Sequence, residues 1–204
     1  MKKIMAFFIM LSVLSSCSAQ KKNNKPSPKV VSTQNETSFG LKGCDPAKVE
    51  KAKLGKTYIY PKLKVAVKAS GDVGEEIEVT FMDSKEVLKI ENVEAHHFSG
   101  IKDGFLFIDN GKGPNGRTIV IYDIKTKQNI HSSRYEKDIS FKDGKMVYLA
   151  PIDTRTIRLR DSVCPDKEKW EKQGLSAGYG MYMAFDFKTK TETETGNYSC
   201  YPIQ

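Results

Sequence analysis

IKDGFLFID, residues 101–109, is the stretch that decides the fold, because the chain repeats its pattern. FKDGKMVYL follows at residues 141–149, and in both copies an Asp-Gly pair precedes an apolar run. Asp-Gly favours the tight turn of a two-residue β-hairpin, and the run that follows it is typical of a strand. The two copies therefore predict repeated antiparallel hairpins.

A second pair of similar segments extends the repeat. IYDIKTKQ at residues 121–128 matches AFDFKTKT at residues 184–191, and both carry the sequence D-x-K-T-K. Each unit is predicted to contain a KDG turn, a strand, a connection, a second strand and a polar turn. The second unit has about 23 additional residues between its strands, and we place this insertion at residues 153–178.

The remaining segments predict a mainly β protein with two short helices. Asp45, Pro46 and Gly55 are suited to the cap, first turn and end of one helix in CDPAKVEKAKLG. Pro165 and Gly174 bracket the second helix, in CPDKEKWEKQG. The predicted strands are KTYIYPKLKVAVKA, EEIEVTFM, EVLKIENV, GFLFIDN, RTIVIYDI, KMVYLAP, TIRLRD and GMYMAFDF.

The repeated units between residues 96 and 196 resemble the blades of a β-propeller in their order of turns and strands. The chain has room for about three blades of 40 to 50 residues, whereas closed propellers have roughly four or more. We therefore expect antiparallel hairpin repeats in a propeller-like fragment or a β-sandwich. Residues 40–204 are predicted to form this single β-rich domain.

The N-terminus indicates export. Lys2 and Lys3 precede an apolar run from Ile4 to Leu14, roughly half the length that a membrane-spanning helix requires. The end of this run, LSSC at residues 14–17, resembles the lipobox of bacterial lipoproteins. The resemblance implies a signal peptide at residues 1–16 and a diacylglycerol group on Cys17. Ser18, in place of Asp, implies sorting to the outer membrane, facing the periplasm, with exposure at the cell surface as the alternative. Ordinary cleavage after Ala19 is the alternative.

The distribution of charge argues against a nucleic-acid partner. The net charge is +8, but residues 40–204 hold 27 basic and 24 acidic residues, a net charge of +3. Residues 17–39 are polar and include four lysines, so they predict a disordered tether that meets anionic head groups. Its root-mean-square span would be about 25 Å and its extended reach roughly 75 Å. The partners expected are the membrane, through the lipid, and a protein or envelope component.

Three cysteines remain once Cys17 is acylated, and an exported compartment permits disulfides. We expect a bridge between Cys164, in the extra segment, and Cys200, near the C-terminus, with Cys44 left as a buried thiol. The alternative bridge joins Cys44 to Cys200 and would tie the two ends of the domain together. Chain entropy alone does not choose between these pairings, because it grows slowly with loop length.

GLSAG at residues 174–178 has the G-x-S-x-G form of a hydrolase nucleophile motif around Ser176. The motif requires a strand before the serine, a helix after it and, in that fold, a later histidine. Here a predicted helix precedes Ser176, a strand follows it and the last histidine is His131. The sequence therefore predicts no catalytic serine.

GKGPNGRT at residues 111–118 approaches a phosphate-binding loop, but it joins two predicted strands rather than a strand and a helix. We expect it to be a hairpin loop. His96 and His97 would point to opposite faces of a strand, so we expect no metal site there, and no cofactor is indicated.

Arg158 and Arg160 lie on one face of the predicted strand TIRLRD, with Trp170, Tyr179 and Tyr182 nearby in sequence. Arginine, tryptophan and tyrosine are enriched at the centres of protein interfaces. These five residues are the predicted partner-binding set.

The sequence supports three hypotheses of function. The first is a lipid-anchored, non-enzymatic binding module facing the periplasm, for example an inhibitor or immunity protein. The second is an envelope assembly subunit whose incomplete repeat is completed by another chain. The third is a hydrolase of cell-wall or glycan substrates, which would require polar residues to converge in a pocket.

Overall fold

The computed structural model describes residues 41, 44–91, 95–111, 113, 115–155 and 163–204. The predicted signal peptide and tether, Cys17 among them, lie outside these residues. As predicted, the fold is mainly β, and its paired strands are all antiparallel. No helix within the described ranges is long and apolar enough to cross a membrane.

The first sheet has five strands, in the order in which they occur in the chain. Its strands are β1 (Lys48–Ala52), β2 (Gly55–Tyr60), β3 (Leu63–Ala69), β4 (Glu75–Phe81) and β5 (Val87–Ile90). The predicted strand KTYIYPKLKVAVKA is divided into β2 and β3, because the chain turns between the paired residues Tyr60 and Leu63.

The second sheet has seven strands, and these too are in chain order. Its strands are β6 (His96–Lys102), β7 (Phe105–Asn110), β8 (Arg117–Asp123), β9 (Gln128–Lys142), β10 (Lys145–Pro151), β11 (Ser176–Asp186) and β12 (Thr191–Ile203). β9 pairs with β8 through its first half and with β10 through its second half, with a register shift in each ladder. Both sheets of the described chain are open at their edges, so neither closes a ring.

The helix predicted in residues 44–55 is wrong. Residues Lys48–Ala52 form β1, which pairs with β2 from Lys48 opposite Ile59 to Ala52 opposite Gly55. Pairing with a neighbouring strand outweighs a weak local helix preference, which amounts to only a few tenths of a kcal/mol per residue. The second helix is confirmed as α1 (Lys167–Glu171), and Gly174 follows it with a φ of +76°.

The predicted turns are present in both units. Asp103–Gly104 and Asp143–Gly144 have positive φ angles of 51° and 85°, and of 51° and 71°. These are the backbone angles that a two-residue hairpin turn requires, and glycine adopts them without strain. In the D-x-K-T-K turns, Asp123 Oδ1 accepts hydrogen bonds from Lys125 N and Thr126 N. Asp186 Oδ1 accepts the equivalent bonds from Lys188 N and Thr189 N.

A third turn of the same shape joins β4 to β5, and the D-x-K-T-K repeat does not reveal it. Lys85 has a φ of 57°, close to the 58° of Lys127 and the 56° of Lys190. Lys85 N donates to Phe81 O as Lys190 N donates to Asp186 O, at 2.9 and 2.8 Å. Phe81 therefore stands where the other two turns have aspartate, which hides the likeness.

Two apolar cores divide the fold into three layers. The first core lies between the five-stranded sheet and one face of β6–β8, and Val65, Val79, Leu106 and Ile108 are buried in it. The second core lies between the other face of β7–β8 and strands β9–β11. It includes Phe107, Ile119, Ile121, Met146, Tyr148 and Phe185. Both faces of β7 are thus buried, which explains its unbroken apolar run FLFI.

The turns of the three layers lie together at one end of the fold, which we call the turn end. Lys127 Nζ lies 2.9 Å from Glu86 Oε2, and Lys190 Nζ lies 2.9 Å from Asp123 Oδ2. The Phe105 and Phe187 rings, which flank two of these turns, stack with their centroids 4.8 Å apart. These contacts link each layer to the next.

Candidate functional site

The insertion, predicted at residues 153–178, spans residues 152–175 in the structure, because β11 already begins at Ser176. A disulfide holds it to the end of β12. Cys164 and Cys200 are bonded, with their Cα atoms 5.3 Å apart, as the sequence analysis predicts. Cys44 is the buried free thiol, and burial raises its pKa to about 12. The insertion is thereby tied to the sheet at a point well inside its length.

Helix α1 carries Trp170, which is partly buried. The helix contacts β11, and Trp170 O accepts a hydrogen bond from Leu175 N at 3.0 Å. Gly174 N donates to Glu171 O at 3.0 Å as the chain leaves the helix. Trp170 is therefore fixed at the backbone beside the strand that carries Tyr179 and Tyr182.

Tyr179 and Tyr182 lie on opposite faces of β11. Tyr179 pairs with Cys200 and so lies on the face of the disulfide, whereas Tyr182 pairs with Leu149. Three positions along a regular strand always separate two side chains in this way. Tyr179 therefore shares a face with the tied insertion, and Tyr182 does not. Arg158 and Arg160 lie outside the described residues, so the role of all five as a partner-binding set stays a prediction.

A shallow groove opens where the insertion begins. Its volume is about 370 Å³. Asp153, on its wall, forms a bidentate ion pair with Arg155. Arg155 Nε lies 2.9 Å from Asp153 Oδ1, and Arg155 Nη2 lies 2.6 Å from Asp153 Oδ2. This hydrogen bonding lowers the pKa of Asp153. The lining residues are Ser133, Arg134, Ala150, Pro151, Ile152 and Asp153.

The loop at residues 111–116 is a hairpin connection between β7 and β8, as predicted. Its amide at Gly116 donates to Glu136 Oε1 at 2.9 Å, and Asn115 Nδ2 donates to Pro202 O at 3.2 Å. Glu136 is buried, so the negative charge that the loop binds at the Gly116 amide is a carboxylate of the protein itself. A phosphate ion would have to compete with that carboxylate for the Gly116 amide.

A buried polar network supports this end of the fold, and the sequence analysis misses it. Asp109 is fully buried, forms an ion pair with Arg117, and accepts a hydrogen bond from Tyr135 Oη at 2.9 Å. Burial lowers the pKa of Arg117. A signal was present in FLFIDN, because an acidic residue that continues a buried strand needs a partner inside the protein. The identity of the partners depends on folding.

Ser176 is exposed at the first position of β11. His131 stacks on Phe185 with ring centroids 4.2 Å apart. Nine residues of extended strand separate Ser176 from Phe185, a distance of about 30 Å. His131 therefore lies far beyond the hydrogen-bond distance that a serine and its general base require.

The described residues include no group of three or more His, Cys, Asp and Glu side chains that could hold a metal ion. His96 and His97 occupy successive positions of β6 and therefore point to opposite faces. His96 Nδ1 lies 3.1 Å from Glu91 O, which gives that ring a structural contact.

The insertion end, which we define as the insertion with the facing ends of β11 and β12, thus combines a disulfide, aromatic side chains and a groove. No protein-family model matches the chain, and no curated protein matches it.

Proposed function

We propose that the chain is a lipid-anchored binding module on the periplasmic face of the outer membrane. Its partner is a protein or an envelope component, and its binding surface is the insertion end. An inhibitor or immunity protein that occludes an enzyme is one concrete form of this function. The proposal requires no cofactor.

The observation that carries the proposal is the attachment of the insertion. An insertion between two strands is loosely held unless something ties it down, and binding residues concentrate on such segments when a rigid scaffold positions them. Here the Cys164–Cys200 disulfide and helix α1 hold the insertion against β11. Trp170, within the insertion, and Tyr179, beside it on β11, are partly buried, as side chains at the centre of an interface often are.

The arrangement of Ser176 favours binding over hydrolysis. A hydrolase would need a base within about 3 Å of its nucleophile, and His131 lies about 30 Å along the sheet from Ser176. His131 has instead a structural role, since its Nε2 atom lies 3.2 Å from the Tyr148 hydroxyl in the second core.

The outer face of the first sheet argues against an assembly in which another chain supplies the next layer. A groove of about 460 Å³ lies on this face, and Lys68 and Lys89 line it together with Glu76, Glu78 and Glu91. Both internal cores are apolar. A further layer stacked here would bury these charges at a cost of several kcal/mol for each ion that lacks a partner.

Site-specific photo-cross-linking in cells that produce the protein tests the proposal. A benzophenone amino acid replaces Trp170 or Tyr179 at the insertion end, and Lys64 or Lys89 in control variants on the outer face of the first sheet. We expect one discrete adduct from the first two positions and none from the controls. Adducts of equal yield from all four positions would contradict the proposed binding surface.

A further inference from the structure

We propose that the turn end docks on a membrane surface of anionic phospholipid. This inference rests on the lipid anchoring in the proposed function and adds an orientation to it. The turn end would face the membrane, and the insertion end would point away from it towards the partner.

The turn end holds the positive charge of the domain. Its strand termini and turns carry nine lysines and six acidic residues, an excess of three (9 − 6). This equals the excess of 27 − 24 over residues 40–204 as a whole. The lysines are Lys62, Lys85, Lys102, Lys125, Lys127, Lys142, Lys145, Lys188 and Lys190, and the acidic residues are Asp83, Glu86, Asp103, Asp123, Asp143 and Asp186.

Four of the six acidic residues at this end form ion pairs with lysines, and Asp83 and Asp143 are exposed. Lys127 and Lys190 neutralise Glu86 and Asp123 through the contacts that link the layers. Lys85, Lys125 and Lys188 are exposed, one on the turn of each layer. A planar surface that carries many negative charges can meet all three at once, because the turns share one end of the fold.

Two apolar side chains are exposed beside these lysines. Met82 is 39% exposed and Val87 is 43% exposed, and both flank the β4–β5 turn that contains Lys85. Apolar side chains next to basic ones are the combination found on protein surfaces that lie in the membrane interface. The lysines alone would also attract an acidic protein, so it is the adjacent apolar side chains that favour a membrane as the partner.

The described chain begins against β6, the strand that ends at Lys102. Leu41 N donates to Ser99 O, and the Cys44 carbonyl accepts a hydrogen bond from Tyr60 Oη at 3.2 Å. An ideal Cβ on Gly100 would lie 2.5 Å from Cys44 Cβ, so this segment lies directly against β6, two residues before Lys102. The first described residue, Leu41, therefore lies against the middle of β6, three positions from Lys102 at the turn end.

The attachment keeps the domain near the membrane. The tether reaches at most roughly 75 Å when it is fully extended. The tethered domain therefore meets the lipid at a high effective concentration, so that even a weak affinity is enough for the turn end to bind. Each lysine near an anionic surface strengthens membrane binding about fivefold. Three exposed lysines then account for about a hundredfold.

Vesicle binding of the chain Ser18–Gln204 tests the inference. This chain contains every described residue and lacks the acylated cysteine, so the result does not depend on lipidation. Co-sedimentation is measured with vesicles of phosphatidylcholine containing 30% or no phosphatidylglycerol. One variant combines Lys85→Gln, Lys125→Gln and Lys188→Gln. The control combines Lys64→Gln, Lys68→Gln and Lys89→Gln on the outer face of the first sheet, and thermal melting verifies that both variants fold.

We expect binding only to the anionic vesicles, weakened about a hundredfold in the turn-end variant and much less in the control. When the protein is bound to vesicles, chemical acetylation should be slower at Lys125 and Lys188 than at Lys64. Equal losses in the two variants would show that total charge decides and would overturn the inference. Absence of binding to anionic vesicles would also overturn it and would favour an acidic protein at the turn end. A failed vesicle test with successful cross-linking at Trp170 would leave the proposed function intact.

Discussion

Lys190 Nζ lies 2.9 Å from Asp123 Oδ2, and this contact joins the last hairpin turn of the chain to the equivalent turn one layer earlier. Lys127 and Glu86 repeat the contact between the two preceding layers at the same distance. The lysine with positive φ thus reaches back to an acidic residue of the layer before it in both cases. The repeat in the sequence is therefore also a repeat of contacts between layers.

A double-mutant cycle on Lys190→Ala and Asp123→Ala should give a coupling energy of about 0.5 to 1 kcal/mol. The estimate is modest because Lys190 is 43% exposed, although Asp123 is only 13% exposed. The hydrogen bond from Lys190 also lowers the pKa of Asp123. Urea unfolding measures the four free energies. Lys188→Ala with Asp123→Ala is the control cycle and should give no coupling; equal coupling in the two cycles would contradict the role of the contact.

Removal of the disulfide by Cys164→Ser with Cys200→Ser should cost about 3 to 4 kcal/mol of unfolding free energy in the chain-entropy model, since the bridge closes a loop of 36 residues. Guanidinium unfolding under non-reducing conditions measures the loss. We also expect faster proteolysis within the insertion, because its tie to β12 is gone. Peptide mapping of the unreduced wild type is the control, and a cross-linked peptide containing Cys44 would contradict the pairing.

Acidification should destabilise the wild type more than His131→Gln. Burial lowers the pKa of His131, so the unfolded chain binds a proton more readily than the folded one. The resulting stability is complete above the unfolded value of about 6.5 and is lost as the pH falls below it. Glu192, whose Oε1 atom lies 3.6 Å from His131 Nε2, has a pKa raised by burial, which acts in the opposite direction in both proteins.

Melting temperatures at pH 7.5 and 5.5 measure this difference. The drop on acidification should be larger in the wild type than in the variant. A variant that loses as much as the wild type between these pH values would show that other groups govern the acid response.

Ser176→Ala should leave both stability and cross-linking at the insertion end unchanged, within about 0.5 kcal/mol for stability, because Ser176 is an exposed first residue of a strand. A serine-reactive fluorophosphonate should not label the wild type. Labelling that appears in the wild type and disappears in Ser176→Ala would refute our interpretation of GLSAG and support a hydrolase.

Local chemistry explains which parts of the fold are predictable. The turns at Asp103–Gly104 and Asp143–Gly144 are predictable from the sequence, because few other residue pairs adopt positive φ at both positions easily. The same reasoning fails for Lys85, since its turn has Phe81 in place of the aspartate. The helix assigned to residues 44–55 fails for a different reason: Asp45 and Pro46 favour a helix start locally, but pairing of β1 with β2 is a contact between strands.

The candidate site is less predictable because its contacts join distant parts of the chain. Asp109 and Tyr135 are 26 residues apart, and the residues bonded to Glu136 come from a different hairpin. The Cys164–Cys200 pairing was predictable only as one of two choices. The separation of Tyr179 from Tyr182 follows from strand periodicity once β11 is known to pair with β10 without a register shift.

The central claim is that this domain works at a membrane through Cys17, and the mass of the mature N-terminus tests it most directly. The protein is isolated from the envelope of the cells that produce it, and its N-terminal peptide is analysed by mass spectrometry. The account predicts a peptide that begins at Cys17 and carries a diacylglycerol group. An unmodified chain that begins at Gln20 would contradict the account and would place the protein in solution.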